Sequence, residues 1–270
     1  MQKIFHSARE KWLFLRKNFA MRFFALDKVD STNAYLLRFP EEERVDTVVS
    51  AVEQTAGKGM AENVWESAPG LNLTFSMGLD LSFMKAADQF ALSKAVPLAL
   101  LSVLDTLLLK AGDLAMPGEA LSVKWPNDLY YGDRKLGGIL INSTIHGEDM
   151  GVSVIGIGLN VNQMQFQDWP THPVSMKMIL GHDLELQPLM ERVVTAVNRQ
   201  VSLLQTKEGS GRIHYGYLNR LYRYQQWGDY EVNGERIRLF IAGIDPFGRL
   251  FAMDEHMREH LFDIKEVRFL

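Results

Sequence analysis

The sequence predicts an α+β protein, α/β-like in its alternation, with a mixed-sheet main body and a small all-β module after it. Three observations carry this. Apolar β-branched runs such as TVVSAVEQ at 47–54 alternate with helical stripes and hairpin turns. The stretch 88–111 is long and apolar, with only Pro97 to interrupt it, and reads as one helix kinked at that proline. After about residue 225 the strands shorten and are separated by Asn233-Gly234 and Asp245-Pro246-Phe247-Gly248, both strong turn signals.

In chain order, residues 1–21 form a basic N-terminal extension. Arg9, Lys11, Arg16 and Lys17 are interleaved there with Trp12, Phe14, Leu15 and Phe19, which predicts a short helix. A peripheral extension is the plain reading, and a regulatory or membrane-surface arm the sharper one. MRFFALDKV is strand-like. Asp30, Ser31 and Thr32 then precede a stripe carrying Ala34 and Leu37, the pattern of a capped helix. TAGKGMAENVWESAPG, punctuated by Gly57, Gly59 and Pro69, is a long loop, and LNLTFSMGL a strand. LSVKW, DLYY and GGILINS make a meander, followed by the buried strand GVSVIGIGLNVN. Residues 188–205 and 211–224 read as helices. The main body therefore spans 22–224 and the β module 225–270.

The chain has 270 residues, 47% hydrophobic and 23% charged, enough to bury a core without staples. It has no cysteine, which excludes disulfides and thiolate metal sites and suits a reducing cytoplasm, the location expected here. A net charge of −4 argues against DNA binding as the main role. No run reaches the roughly 18 to 20 apolar residues of a membrane span, and no signal-peptide apolar region stands at the N-terminus.

The chemistry concentrates in four segments. Gly57 and Gly59 open the backbone around Lys58, although the spacing is not that of a P-loop. In VKWPNDLYYGDRKLGGILINS, Pro126 ends strand pairing and leaves Asn127 and Asp128 at a strand end, where ligand-facing groups gather. Asn can read a purine edge and Asp can hold Mg²⁺ beside phosphates. Lys135 follows, with Gly137 and Gly138 clearing side chains from a strand interior. Gly156 and Gly158 repeat that device ahead of Asn160 and Asn162. Backbone access, a few amide and carboxylate groups and two lysines suit a nucleotide and an acid held together. No Ser-His-Asp arrangement is apparent. His256 and His260 are four apart without a third zinc ligand, and read as a solvated helical turn.

These segments resemble biotin–protein ligases. DSTN at 30–33, QTAGKG with NVW within 54–65, KWPND with RKLGGIL at 124–140 and GIGLNVN at 156–162 match in order, and the resemblance covers about residues 22–270. It implies a mixed-sheet catalytic domain with a C-terminal SH3-like β-barrel. The implied reaction joins biotin and MgATP into biotinyl-5′-AMP, then acylates a lysine of a biotin carboxyl carrier protein. By the family pattern Ser31, Thr32, Asn33 and Gln54 line the biotin head pocket, and Gly57, Lys58, Gly59 and Met60 cover the biotin tail. Gly138, Gly156 and Gly158 also belong to the biotin side. Lys135 contacts the biotin carboxylate and α-phosphate, and is catalytic together with Asp128. Lys58, Trp65, Asn127, Lys135 and Asn160 serve the nucleotide, and Asp128 the Mg²⁺.

The resemblance also sets expectations by contrast. The family loop carries Gly-Arg-Gly with further basic residues, whereas here it reads Gly57-Lys58-Gly59-Met60-Ala61-Glu62-Asn63, so any grip on phosphate falls to backbone N–H groups. Weaker retention of the adenylate follows. About 20 residues ahead of the catalytic pattern cannot supply a DNA-binding three-helix unit, so a monofunctional ligase with no DNA or membrane partner is expected. Strand edges in this family support dimers, which makes a homodimer one expectation. The alternatives are a lipoate-type ligase of the same fold and a non-catalytic biotin or adenylate sensor.

Overall fold

The computed structural model describes residues 9–14, 20–60, 63–111, 121–167 and 172–270. An eight-stranded mixed sheet forms the main body. Its strands are β1 (Arg9–Phe14), β2 (Ala20–Val29), β3 (Thr47–Gln54), β4 (Leu73–Asp80), β5 (Leu121–Lys124), β6 (Asp128–Tyr131), β7 (Arg134–His146) and β8 (Asp149–Leu159), in the order β1-β2-β3-β4-β8-β7-β6-β5. Only β2 and β3 run parallel. Such a pair needs a crossover, here supplied by α1 (Thr32–Leu37) and the single turn α2 (Glu41–Arg44).

The alternation of side chains along each strand separates two apolar layers. Ile155 and Ile157 join Val48, Phe75 and Met77 in the larger one, beneath α3 (Phe90–Ala111), α5 (Leu186–Ser202) and α6 (Lys207–Leu218). Val154 faces the other way, with Val49, Ala51 and Leu36 of α1. Each fully buried side chain of this kind contributes about 1.5–3 kcal/mol. Gly156 and Gly158 are on that second face, where the functional groups gather. Between β8 and α5 lies the short α4 (Met176–Leu180), capped by Ser175 and closed by Gly181 in the left-handed region.

The chain ends in a five-stranded antiparallel sheet of β9 (Trp227–Val232), β10 (Glu235–Ile244), β11 (Leu250–Asp254), β12 (Glu259–Phe262) and β13 (Val267–Phe269), ordered β12-β11-β10-β9-β13. It fits a small β domain. Its buried Tyr230, Leu239, Ile241 and Leu250 belong to the same apolar cluster as α3. Segment 220–222 runs beside β5, with Val123 N–H bonded to Arg220 O and Tyr222 N–H to Val123 O, so this end of the large sheet is covered.

Three expectations are corrected. Residues 9–14 form a strand paired with β2, not a helix; residues 1–8 and 15–19 lie outside the described residues. α3 runs unbroken through Pro97 for 22 residues and is long and apolar enough to cross a bilayer, contrary to the reading that no such run exists. Leu92, Val96, Leu100 and Leu104 are buried in the protein itself, so α3 is the central core helix. His256 and His260 are not a helical turn: His260 is in β12 and its ring meets Asp254 Oδ2 at 3.1 Å. Among the described residues no cluster of three or more His, Cys, Asp or Glu forms a metal site.

Candidate active site

Cross-strand register builds the floor of the site. Asp128 stands opposite Gly138, Gly138 opposite Gly158, and Gly158 opposite Thr74. Two residues along, Leu140, Gly156 and Ser76 form a second row on the same face. Three of these positions are glycine, which leaves a trough where side chains would otherwise stand. A Cβ on Gly158 would lie 2.6 Å from Cζ2 and 2.8 Å from Cδ2 of Trp65, so the indole rests directly on the strand. Gly138 is 3.7 Å from the same ring by that measure.

The far wall comes from α1 and β3. Ser31 caps the helix, and Thr32 donates from its backbone N–H to Gln54 Oε1 at 2.7 Å. The Thr32 hydroxyl is 3.1 Å from that oxygen and 2.9 Å from Ser76 Oγ. These bonds fix Thr32 and Gln54 as a unit. Asn33 is buried, and among the described residues its Nδ2 has no hydrogen-bond partner although it lies beside Gly156. A buried amide without a partner costs about 1–3 kcal/mol, a cost that an acceptor entering the trough would remove.

The near wall holds the charges. Lys135 Nζ meets Asp128 Oδ1 at 2.8 Å, with both side chains about three-quarters buried. Asn127 is tied across to β7: its Nδ2 donates to Ile139 O at 2.8 Å and its carbonyl accepts from Ile139 N–H at 3.0 Å. Behind them, burial holds the Lys124 ammonium below the usual lysine range, although Asp128 opposes that shift. Trp65 Nε1 is buried without a partner among the described residues.

One cavity, enclosing about 660 Å³ with its open mouth included, brings together Ser31, Thr32, Asn33, Gln54, Lys58, Gly59, Met60, Trp65, Asn127, Asp128, Lys135, Gly138, Gly156 and Gly158. Of the residues expected at the site only Gly57 and Asn160 are outside it. Gly57 packs under the Trp65 backbone, where a Cβ would strike the Trp65 carbonyl. Asn160 lines an adjoining groove that shares Trp65 and Lys135 with the cavity. Its amide donates to Val174 O at 3.2 Å and Lys135 O at 3.4 Å, so it also braces the Lys135 backbone.

The 57–65 loop is a small hairpin. Gly59 N–H donates to Asn63 O at 2.7 Å and Trp65 N–H to Gly57 O at 3.0 Å, so these amides are engaged within the loop instead of being offered to phosphate. Ala61 and Glu62 lie outside the described residues. Sequence reasoning missed Ser76 and Phe75, whose signal was only the register of β4 beside β8.

Fold and site together define a class. The chain belongs to the Biotin/lipoate A/B protein ligase family, whose profile matches residues 25–160. It is 30% identical over 204 residues to the biotin–[acetyl-CoA-carboxylase] ligase of Paracoccus denitrificans, covering 73% of this chain and 80% of that one. Identity to the human biotin–protein ligase is 31% over 240 residues, 81% of this chain but 30% of the relative. To the Escherichia coli bifunctional ligase/repressor BirA it is 35% over 144 residues, 53% of this chain and 41% of the relative. The chain thus spans less than half the length of these last two. The Aquifex aeolicus biotin protein ligase in complex with biotin and ATP superposes with a TM-score of 0.69 at 20% identity, covering 92% of this chain and 99% of that one. The Leishmania major biotin protein ligase in complex with biotinyl-5-AMP gives 0.61 at 22%, covering 89% and 98%. These two likenesses are of fold.

Proposed function

We propose that this chain is an ATP-dependent biotin–protein ligase that forms biotinyl-5′-AMP and transfers biotin to a lysine of a biotin carboxyl carrier domain. The observation that carries the reading is a single trough joining two kinds of chemistry. At one end stand the unpartnered Asn33 amide and the Thr32–Gln54–Ser76 polar cluster, suited to the small polar head of biotin. At the other stands the Lys135–Asp128 pair, beside a groove with room for a nucleotide.

In the first step a biotin carboxylate oxygen attacks the α-phosphorus of ATP. The bond from that phosphorus to the bridging oxygen breaks, and pyrophosphate leaves with the electron pair. Two anions must approach, so the step needs positive charge at the meeting point. Lys135 supplies it, about three-quarters sheltered from water, where its charge acts more strongly. Trp65 and the hairpin that bears it cover the trough and keep water from the mixed anhydride. In the second step the acceptor lysine, as free amine, attacks the acyl carbon; the C–O bond to phosphate breaks, AMP leaves, and the new amide nitrogen loses its proton.

Mg²⁺ is compatible with these residues only in a limited way. Among the described residues Asp128 is the one carboxylate lining the cavity, and a magnesium ion held by one carboxylate and the nucleotide phosphates would match that ion's habit. Its contribution when bound is neutralisation of phosphate charge.

The testing experiment is ATP–pyrophosphate exchange with biotin, with lipoate and with neither. Exchange with biotin alone supports the reading. Exchange driven by lipoate would replace it with a lipoate-type ligase, and binding without exchange would make the protein a sensor.

A further inference from the structure

The strand end that carries Asn127 and Asp128 is held by the C-terminal sheet on both of its faces. Trp125 is 4% exposed, and its Nε1 donates to Gly248 O at 2.8 Å. That carbonyl belongs to the β10–β11 turn, and the contact spans 123 residues of sequence. The approach depends on glycine: Gly248 has φ +94°, and a Cβ there would lie 2.7 Å from Phe90 Cε2 and nearer still to other atoms of that ring. The turn itself is rigid. Asp245 Oδ1 accepts from the N–H groups of Phe247 and Arg249, both at 2.9 Å, and Oδ2 from Arg249 Nε at 2.8 Å.

Successive side chains of an extended segment point to opposite faces, and the neighbour of Trp125 is gripped from the other side. Lys124 Nζ is 5.0 Å from the ring centres of both Tyr130 and Phe269, the latter in β13, and donates to Tyr130 Oη at 3.1 Å. Only Pro126 separates this double grip from Asn127, which is in turn pinned to Ile139. Neither Trp125 nor Gly248 lines the cavity. The connection is too short to absorb a shift, and the reacting groups sit at its end.

We propose that Trp125 is a positioning residue through which the C-terminal sheet fixes the Asn127–Asp128 turn, and thereby sets the rate of adenylation and not the affinity for biotin. This rests on the biotin ligase reading above. The biotin-side groups Thr32, Asn33 and Gln54 are on α1 and β3, independent of β5.

The test is Trp125→Phe, which keeps an aromatic ring and removes the donor. In biotin-dependent ATP–pyrophosphate exchange its kcat falls about tenfold or more, since small displacements of aligned groups are costly. Its biotin Kd by calorimetry stays within about twofold of wild type, since a factor of two is under half of the 1.4 kcal/mol that a tenfold change represents. Asp245→Asn loosens the turn while keeping the indole. It gives the same pattern at smaller amplitude, and it decides the matter if Trp125→Phe does not fold. Ile241→Val trims a buried side chain in the same sheet and leaves kcat unchanged. A wild-type kcat in the folded Trp125→Phe protein overturns the proposal. So does a loss of kcat and biotin affinity together, shared by Ile241→Val, which would mark a merely structural role. Absence of exchange in the wild type removes the ligase reading itself, and this inference with it.

Discussion

Gly158→Ala is the smallest change that should separate the two halves of the site. The new methyl would be placed 2.6 Å from Trp65 Cζ2 and 2.8 Å from Cδ2. Carbon atoms are at ease at about 3.5–4.0 Å, so the indole must retreat by about 1 Å. β8 cannot give instead, because it is paired with β4 on one side and β7 on the other. The family pattern puts Gly158 on the biotin side, but the ring its methyl strikes, Trp65, borders both the cavity and the groove beside Lys135, so the displacement is expected to fall on the side proposed for the nucleotide. A misplacement of that size costs up to roughly 100-fold. The expected loss in kcat/KM for ATP is therefore about 10- to 100-fold, or ~1.4–2.7 kcal/mol. Gly156→Ala provides the contrast. Its methyl meets Asn33 Nδ2 at 3.2 Å and Ser76 Oγ at 3.5 Å, a milder crowding on the biotin side. Biotin calorimetry and exchange rates against ATP concentration read the two effects apart: Gly158→Ala weakens ATP use with biotin affinity kept, and Gly156→Ala weakens biotin binding. An unchanged kcat/KM for ATP in Gly158→Ala, or a larger effect on biotin than on ATP, would refute this division of the trough.

Lys135→Met removes the charge at the proposed meeting point of the two anions and leaves Asp128 without its ion-pair partner; exchange should fall by about 10²- to 10³-fold, and retention of more than a tenth of the rate would take Lys135 out of the chemistry. Replacing Lys58 and Met60 together by arginine should slow release of the bound adenylate, measured by rapid dilution, and equal release rates would show that the arginine-poor loop is no handicap. Burial alone would raise the Asp254 carboxyl, but hydrogen bonds from the Arg258 and His256 N–H groups and from the Arg258 and His260 side chains outweigh it and hold it well below the carboxylate range. A depressed folded pKa adds stability that is fully present above the unfolded value of about 3.9 and is lost as pH falls through the folded one. Asp254→Asn should thus lower Tm by a constant amount above roughly pH 5, with the gap to wild type narrowing below about pH 4; a gap independent of pH would contradict the linkage.

Much of the site was legible because its residues are local to their motifs. Asp128 and Lys135 flank one hairpin, and Gly156 and Gly158 interrupt an apolar strand in which glycine is costly unless something lies against it. That something is partly the Asn33 amide and partly the Trp65 ring. What stayed hidden depends on distant pairing. β1 mixes good helix formers with aromatics, and its strand state is decided by the partner β2. The turns α2 and α4, four and five residues long, are too short for periodicity to mark. Ser76 looks like any strand serine until β4 is placed beside β8. The bond from Trp125 to Gly248 has no local signature at all.

The central claim is that one trough activates biotin and hands it to a protein lysine. Incubating the wild-type chain with ATP, Mg²⁺, labelled biotin and a biotin carboxyl carrier domain tests both steps together. The account predicts label attached to a single lysine of the carrier, dependent on ATP and lost in Lys135→Met. Full labelling by Lys135→Met would contradict it, and so would no labelling by a wild-type protein that binds biotin.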